Sequence, residues 1–367
     1  MKKLSLSFII ITLLLLLSSC TKKEKLYSVT RNYTYFDSYE SITLWSKDKD
    51  EKFMNEFTLT NSILKKYHDI SNRYEENSEV YLLNHSNGEA IQVSKELIDL
   101  IKYAKEDYGV SEYFTIAIGV ISDLWHPYIE EYSGDDSTSS EVESLPPDEL
   151  INKEYDLDES KILIDEVNST ITVPEGISLD LGGIVKGYVS KLLIEYYEEN
   201  SISYTINMAR SNISTNIGNP ERKDNSYRVG LKNPRYIEGS DIDELYQIIS
   251  LPIGYSIVTS SSDQRYFTYN GVKYSHIINP NTHMPVTDES VMVDGIEDKI
   301  ESISVILKDP ALGDILSTSF FIMGYKKTIE LVEKMNNEGT KIYICAFLKD
   351  GKSHIYPEST SKYIITK

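Results

Sequence analysis

The sequence predicts an α+β fold, with mixed, largely antiparallel sheets and flanking helices, on three observations. Asn270-Gly271 lies between the alternating segments Tyr266–Tyr269 and Val272–Ser275, and Asp350-Gly351 lies between Phe347–Lys349 and Lys352–His354. Such dipeptides suit the type I′ turns of antiparallel hairpins. Apolar residues return at helical spacing in separate stretches, not in strict alternation with strands, which argues against a doubly wound sheet. No internal repeat is visible. With 367 residues, 40 % of them apolar, the chain is long enough for one large domain or two smaller ones.

From the N-terminus, Lys2-Lys3 precedes an apolar run from Leu4 to Leu17, and Leu17-Ser18-Ser19-Cys20 follows. This is the pattern of a signal peptide, too short and wrongly flanked for a membrane span. A Cys directly after small residues is where a lipoprotein is cut and diacylated. Residues 1–19 are therefore expected to be a lipoprotein signal peptide, Cys20 the lipidated mature N-terminus, 20–30 a polar tether and 31–367 the folded domain. Cys345, the other cysteine, is then left without a disulfide partner and reads as a small buried hydrophobe. The formal charge of −20 falls to −22 when Lys2 and Lys3 leave. Such a surface repels nucleic acid and anionic lipid, so no nucleic-acid partner is expected and the lipid alone would hold the protein at a membrane.

Ser41–Trp45 alternates as a strand, Glu51–Ile70 and Glu96–Tyr108 carry helical apolar spacing, and the acid- and Ser-rich stretch Glu130–Glu143 reads as a surface loop. Ile162–Val173 is expected to be a hairpin around Asn168-Ser169. Helices are expected at Val185–Glu198, Leu312–Met323 and Lys327–Met335.

Three segments carry residues with chemical potential. Asp180-Leu181-Gly182-Gly183-Ile184-Val185-Lys186 puts an acid and two glycines ahead of a helix, a place where backbone can approach a phosphate and unpaired N–H groups face it, or simply a turn. Asp314 and Thr318 stand four apart on one helix face, as hard oxygen ligands for Mg²⁺ or as a helix cap and a packing residue. His276, in Tyr274-Ser275-His276-Ile277-Ile278-Asn279-Pro280, has the side chain to take a proton from a hydroxyl, or to serve as a structural hydrogen bonder.

These segments, in this order, resemble the ApbE family of FAD:protein FMN transferases, and the likeness runs along nearly the whole mature chain. Phe36-Asp37-Ser38-Tyr39-Glu40-Ser41-Ile42-Thr43-Leu44 resembles the family's first strand. Asn72-Arg73-Tyr74 with Ser78-Glu79-Val80 and Asn84 is similar to its S-x-Y…SE[IV]xxLN stretch, and Phe114 to Trp125 to its FDxTxGPLxxLW. Thr259-Ser260 with Arg265-Tyr266-Phe267 is similar to TSGxxxRYF, His276 to Thr282 to HIIDPxTG, and Asp314 to Thr318 with Gly324 to DALATALFxxG. The resemblance implies an ApbE-like fold, FAD as substrate and Mg²⁺ as cofactor. It implies that Asp180 and Lys186 contact FAD, with Tyr74, Tyr113, Phe114 and Thr115 lining the flavin and adenosine side and Phe36 and Ser38 nearby. Gly183, through its carbonyl, and the side chains of Asp314 and Thr318 would hold Mg²⁺, and His276 would handle the proton.

The expected reaction moves FMN from FAD onto a Thr or Ser hydroxyl of a flavin-acceptor protein, a respiratory or electron-transfer subunit, and releases AMP. With water in place of that hydroxyl the site would be an FAD pyrophosphatase, and without catalysis the chain would be a flavin-binding lipoprotein. The expected location is the outer face of the cytoplasmic membrane, or the periplasmic side, through the lipid anchor. The chain departs from the family's pattern at Arg210-Ser211, where the family has Gly-Gly, and at Thr115, Ser261-Ser262, Asn279 and His283.

Overall fold

The computed structural model describes residues 25–132 and 141–365. The proposed signal peptide and Cys20 lie outside the described residues. Eight strands form one antiparallel sheet in the order β1-β2-β3-β4-β5-β9-β10-β11. These are β1 (Tyr27–Tyr35), β2 (Ser38–Ser46), β3 (Ser203–Met208), β4 (Asn212–Thr215), β5 (Tyr255–Ser261), β9 (Ile300–Leu307), β10 (Tyr343–Leu348) and β11 (Ser353–Tyr356). A second, three-stranded sheet holds β6 (Tyr266–Tyr269), β7 (Val272–Asn279) and β8 (Met284–Thr287). The helices that matter for the site are α1 (Met54–Ser71), α2 (Glu79–Asn84), α3 (Lys95–Ala104), α4 (Gly119–Tyr132), α5 (Val185–Glu199), α6 (Pro310–Met323) and α7 (Tyr325–Asn337). The largely antiparallel α+β prediction holds.

The central strand β9 is buried at every position, because both faces of the sheet are covered. Ile303, Val305 and Leu307 face the main core with α5 and α6, while Ile306 joins Cys345 and the hairpin Tyr227–Lys232 with Leu245–Leu251 on the other side. Cys345 is the buried hydrophobe expected, and burial pushes its thiol up to about 11. A third cluster packs Trp125 of α4 against Phe267 and Tyr274 of the second sheet.

Several local expectations need correction. The tether does not extend to residue 30: Tyr27 already pairs with Ser46 in β1, whose alternating side chains pack Val29 and Tyr33 on the core. The stretch at 130–143 is not simply a loop, since α4 runs to Tyr132 and Val142 is buried. Asn270-Gly271 does form the two-residue turn, with both residues at positive φ. Asp350-Gly351 does not. There Leu348 N–H donates to Lys352 and only Gly351 is left-handed, so the loop has three residues.

Candidate active site

The end of the large sheet that carries the β1–β2 and β3–β4 connections opens into a cavity of about 650 Å³. Every catalytic, flavin-site and metal-site residue expected from the sequence lines it. Phe36 and Ser38 come from the β1–β2 tip, Tyr74 follows α1, and Tyr113, Phe114 and Thr115 precede α4. Asp180, Gly183 and Lys186 come from the glycine turn and the first turn of α5, His276 from β7, and Asp314 and Thr318 from α6.

Helix α6 shows how the chain frees Asp314 for this position. Its N-cap is Asp309, whose side chain accepts from Ala311 and Leu312 N–H, and Pro310 occupies the first turn, so Asp314 is not needed as a cap. The Asp314 carboxylate instead accepts the Gly187 N–H at 2.6 Å and the Asn212 side-chain amide at 3.3 Å. Burial lifts it to about 7, against the pull of Lys186 and of those two donors. Gly187 is essential to this arrangement: a Cβ there would stand 2.3 Å from the Pro310 carbonyl and 2.7 Å from Asp314 Oδ2. Gly183 admits the Phe114 ring, which a Cβ would meet at 3.3 Å.

The opposite wall is braced by a buried arginine. Arg73 reaches Asp123 at 2.8 Å, Asp180 at 3.3 Å and the Gly119 carbonyl at 2.9 Å, which fixes Asp180 at the mouth of the glycine turn. Asp180 also accepts from Gly182 N–H. Beside it Tyr74 stacks on His126, with ring centroids 4.2 Å apart. Arg265 pairs with Glu130 of α4 and offers its backbone carbonyl to His276 Nδ1 at 3.1 Å. A carbonyl only accepts, so Nδ1 carries the hydrogen and Nε2 keeps its lone pair. Burial, helped by the Arg265 charge, holds this imidazole down at about 4.

Phe36 and Asp37 are both left-handed at the tip between Tyr35 and Ser38, and the Phe36 N–H donates to His68 Nδ1. Ser38 spends its hydroxyl on Glu40. The departures at 115, 279 and 283 have local explanations. Thr115 donates to Glu159, which also accepts from Ile116 N–H, so a carboxylate from a distant segment stands beside this turn. Asn279 accepts from Asn281 N–H to make a turn, and His283 adopts φ 57 while its carbonyl takes the Trp125 indole N–H. Arg210 is exposed and does not line the cavity, although Ala209 and Ser211 do.

Among the described residues no group of three or more His, Cys, Asp or Glu could hold a metal. One carboxylate, one hydroxyl a helical turn away and a nearby backbone carbonyl fit Mg²⁺, which keeps waters and takes substrate phosphates to complete its shell. Sequence reasoning passed over Gly187, Asn212, His126 and Glu159. Gly187 left a trace as an extra glycine inside a helix start, and Asn212 as the residue after Arg210-Ser211, where the family has Asp or Asn.

Residues 36–344 match the ApbE family. The chain belongs to the ApbE family. Among its curated relatives are the FAD:protein FMN transferases of Klebsiella pneumoniae strain 342, 26% identical over 298 residues (79% of this chain, 83% of the relative), and of Haemophilus influenzae, 24% identical over 353 residues (92% of each). Solved ApbE structures share its fold. The ApbE protein of Thermotoga maritima superposes with a TM-score of 0.72 at 22% identity, over 93% of this chain and all of that one. The flavin transferase ApbE of Vibrio cholerae gives 0.69 at 21%, over 92% of this chain and 100% of that one.

Proposed function

We propose that this ApbE chain is an Mg²⁺-dependent FAD:protein FMN transferase. The observation that carries the reading is the meeting of the Asp314–Thr318 helix turn, the Gly182-Gly183 turn and His276 in one cavity. A Thr or Ser hydroxyl of the acceptor attacks the FMN-side phosphorus of FAD. The new P–O bond forms as the bond to the AMP phosphate breaks, and AMP leaves. Asp314, Thr318 and the Gly183 carbonyl would hold Mg²⁺, which when bound neutralises charge on the pyrophosphate and on departing AMP. Lys186, whose charge acts on both Asp314 and His276, adds to that neutralisation. His276 Nε2 accepts the hydroxyl proton. Its depressed pKa keeps it unprotonated at neutral pH, and an anionic substrate beside it raises its basicity. Arg73 holds Asp180 toward FAD, and Tyr74, Tyr113 and Phe114 supply aromatic surface for the flavin and adenine rings.

The reading extends to place and partner. Diacylated Cys20 anchors the chain on the outer face of the cytoplasmic membrane or the periplasmic side, and the acceptor is an exported respiratory or electron-transfer subunit. The test is to incubate the protein with FAD, Mg²⁺ and a flavin-acceptor domain, then weigh the acceptor and follow AMP. The expected result is an FMN-sized mass gain with AMP released only when acceptor is present. AMP without acceptor would instead identify a pyrophosphatase, and no AMP at all a flavin binder.

A further inference from the structure

The β3–β4 connection holds a cation in a backbone position that favours glycine. Met208 to Ser211 form a tight turn closed by Ser211 N–H donating to the Met208 carbonyl at 3.2 Å, with Ala209 at φ 53 and Arg210 at φ 65. For residues with a Cβ this conformation costs about 1–2 kcal/mol each and persists only where neighbours over-determine it. They do so here. Ala209 N–H donates to the Tyr39 carbonyl at 3.0 Å, Arg210 N–H to Asn207 Oδ1 at 2.9 Å, and the Ser211 carbonyl accepts from Thr259 N–H at 2.7 Å. The turn therefore presents Arg210 in a fixed place, flanked on both sides by residues that line the cavity.

The Arg210 side chain is exposed and has no hydrogen bond or ion pair among the described residues. The other arginines of the cavity wall are committed, Arg73 to Asp123 and Asp180, Arg265 to Glu130. In a chain of net charge −20, an uncommitted guanidinium beside the cavity is an attractive spot on a repulsive surface for an acidic partner. Arg210 itself is not among the residues lining the cavity, so its guanidinium is placed at the rim, where an approaching acceptor meets it. Tyr39, 74% exposed, adjoins the same turn and adds flat aromatic surface.

We propose that Arg210 is a specificity-determining residue for the acceptor protein, pairing with a carboxylate next to the acceptor hydroxyl. A guanidinium suits this task because its planar fork meets a carboxylate with two parallel hydrogen bonds. The inference rests on the transferase reading.

The test measures FMN transfer to a recombinant flavin-acceptor domain at varied acceptor concentration for the wild type, Arg210→Gly, Arg210→Lys and Arg210→Glu. Glycine and glutamate should raise the acceptor KM by about three- to tenfold, with glutamate the worse, and lysine should restore part of the loss. The kcat at saturating acceptor and the FAD affinity should stay put. Added KCl should shrink the wild type's advantage. Arg210→Gly should also melt higher than the wild type, which separates lost recognition from lost folding. An acceptor KM unmoved in Arg210→Glu overturns the proposal, as does a tenfold loss of FAD affinity in Arg210→Gly, which would make Arg210 a phosphate ligand. If the wild type transfers no FMN, the transferase reading itself has failed and this inference falls with it.

Discussion

Two pairs of hairpin turns in this molecule set two consecutive residues at positive φ and differ in chemistry. Away from the cavity, Asn270-Gly271 and Asp294-Gly295 place both central residues at positive φ with side chains that tolerate it. Beside the cavity, Phe36-Asp37 and Ala209-Arg210 adopt positive φ without a glycine. The outer turns obey local preference. The inner ones give up stability to hold a ring, a carboxylate and a guanidinium at the mouth, and neighbouring hydrogen bonds keep them in place.

The same contrast runs along one hairpin and supplies the harshest test. His276 lines the cavity, whereas the His283 side chain bonds the Ile151 carbonyl through Nδ1 and packs edge-on against Tyr155. His276→Ala should lower FMN transfer on the order of 10²–10⁴-fold with little change in melting, while His283→Ala should destabilise without touching the chemistry. Reversed outcomes, read by acceptor mass and thermal unfolding, would dissolve the distinction.

Next in size is Gly187→Ala. The added methyl has no room against Pro310 and Asp314, so α5 and α6 must part and the Gly187–Asp314 hydrogen bond must break. Stability should drop by about 3 kcal/mol in denaturant titration, and the rise in melting temperature given by FAD with Mg²⁺ should vanish.

Glycine exchanges at the turns sharpen the comparison directly. Asp37→Gly should stabilise by about 1 kcal/mol, because φ 50 is relieved, and Gly271→Ala should destabilise by a similar amount. If both variants move the same way in chemical unfolding, the inner turns are not under strain.

A last test is a slope with pH. In the fold the His276 imidazole titrates near 4, below its ordinary value of 6.5, so between those values the unfolded chain binds more protons at this position. Its contribution to stability is complete above 6.5, is lost as pH falls toward 4, and should disappear from the pH profile in His276→Gln.

Legibility in the sequence followed the same divide. Helices with a regular apolar stripe, such as α5 and α3, and the Asn270-Gly271 hairpin were readable because local chemistry alone specifies them. Asp180, His276, Asp314 and Thr318 were readable as a set only through family likeness. Singly, each had an ordinary structural explanation. The strand β1 was missed because Tyr27–Tyr35 is mostly polar on its open side, and α4 because Pro127 interrupts the pattern. The turns at Phe36-Asp37 and Ala209-Arg210 gave little signal, since of those four residues only Asp37 tolerates positive φ and neither dipeptide holds a glycine. The Glu159 carboxylate at Thr115 comes from 44 positions away, beyond any local rule.

The hairpin that begins the described chain has Tyr27 at one end and Phe36 at the other. Nine paired residues span roughly 27 Å, and the seven steps from Cys20 to Tyr27 add at most about 25 Å of extended chain. A lipid on Cys20 would leash the domain by the end of β1 opposite its mouth, and the mouth could then reach at most about 50 Å above the bilayer. Under the transferase reading, acceptor hydroxyls standing beyond that reach would escape transfer, so lengthening the leash would widen the set of proteins that receive FMN without altering the chemistry.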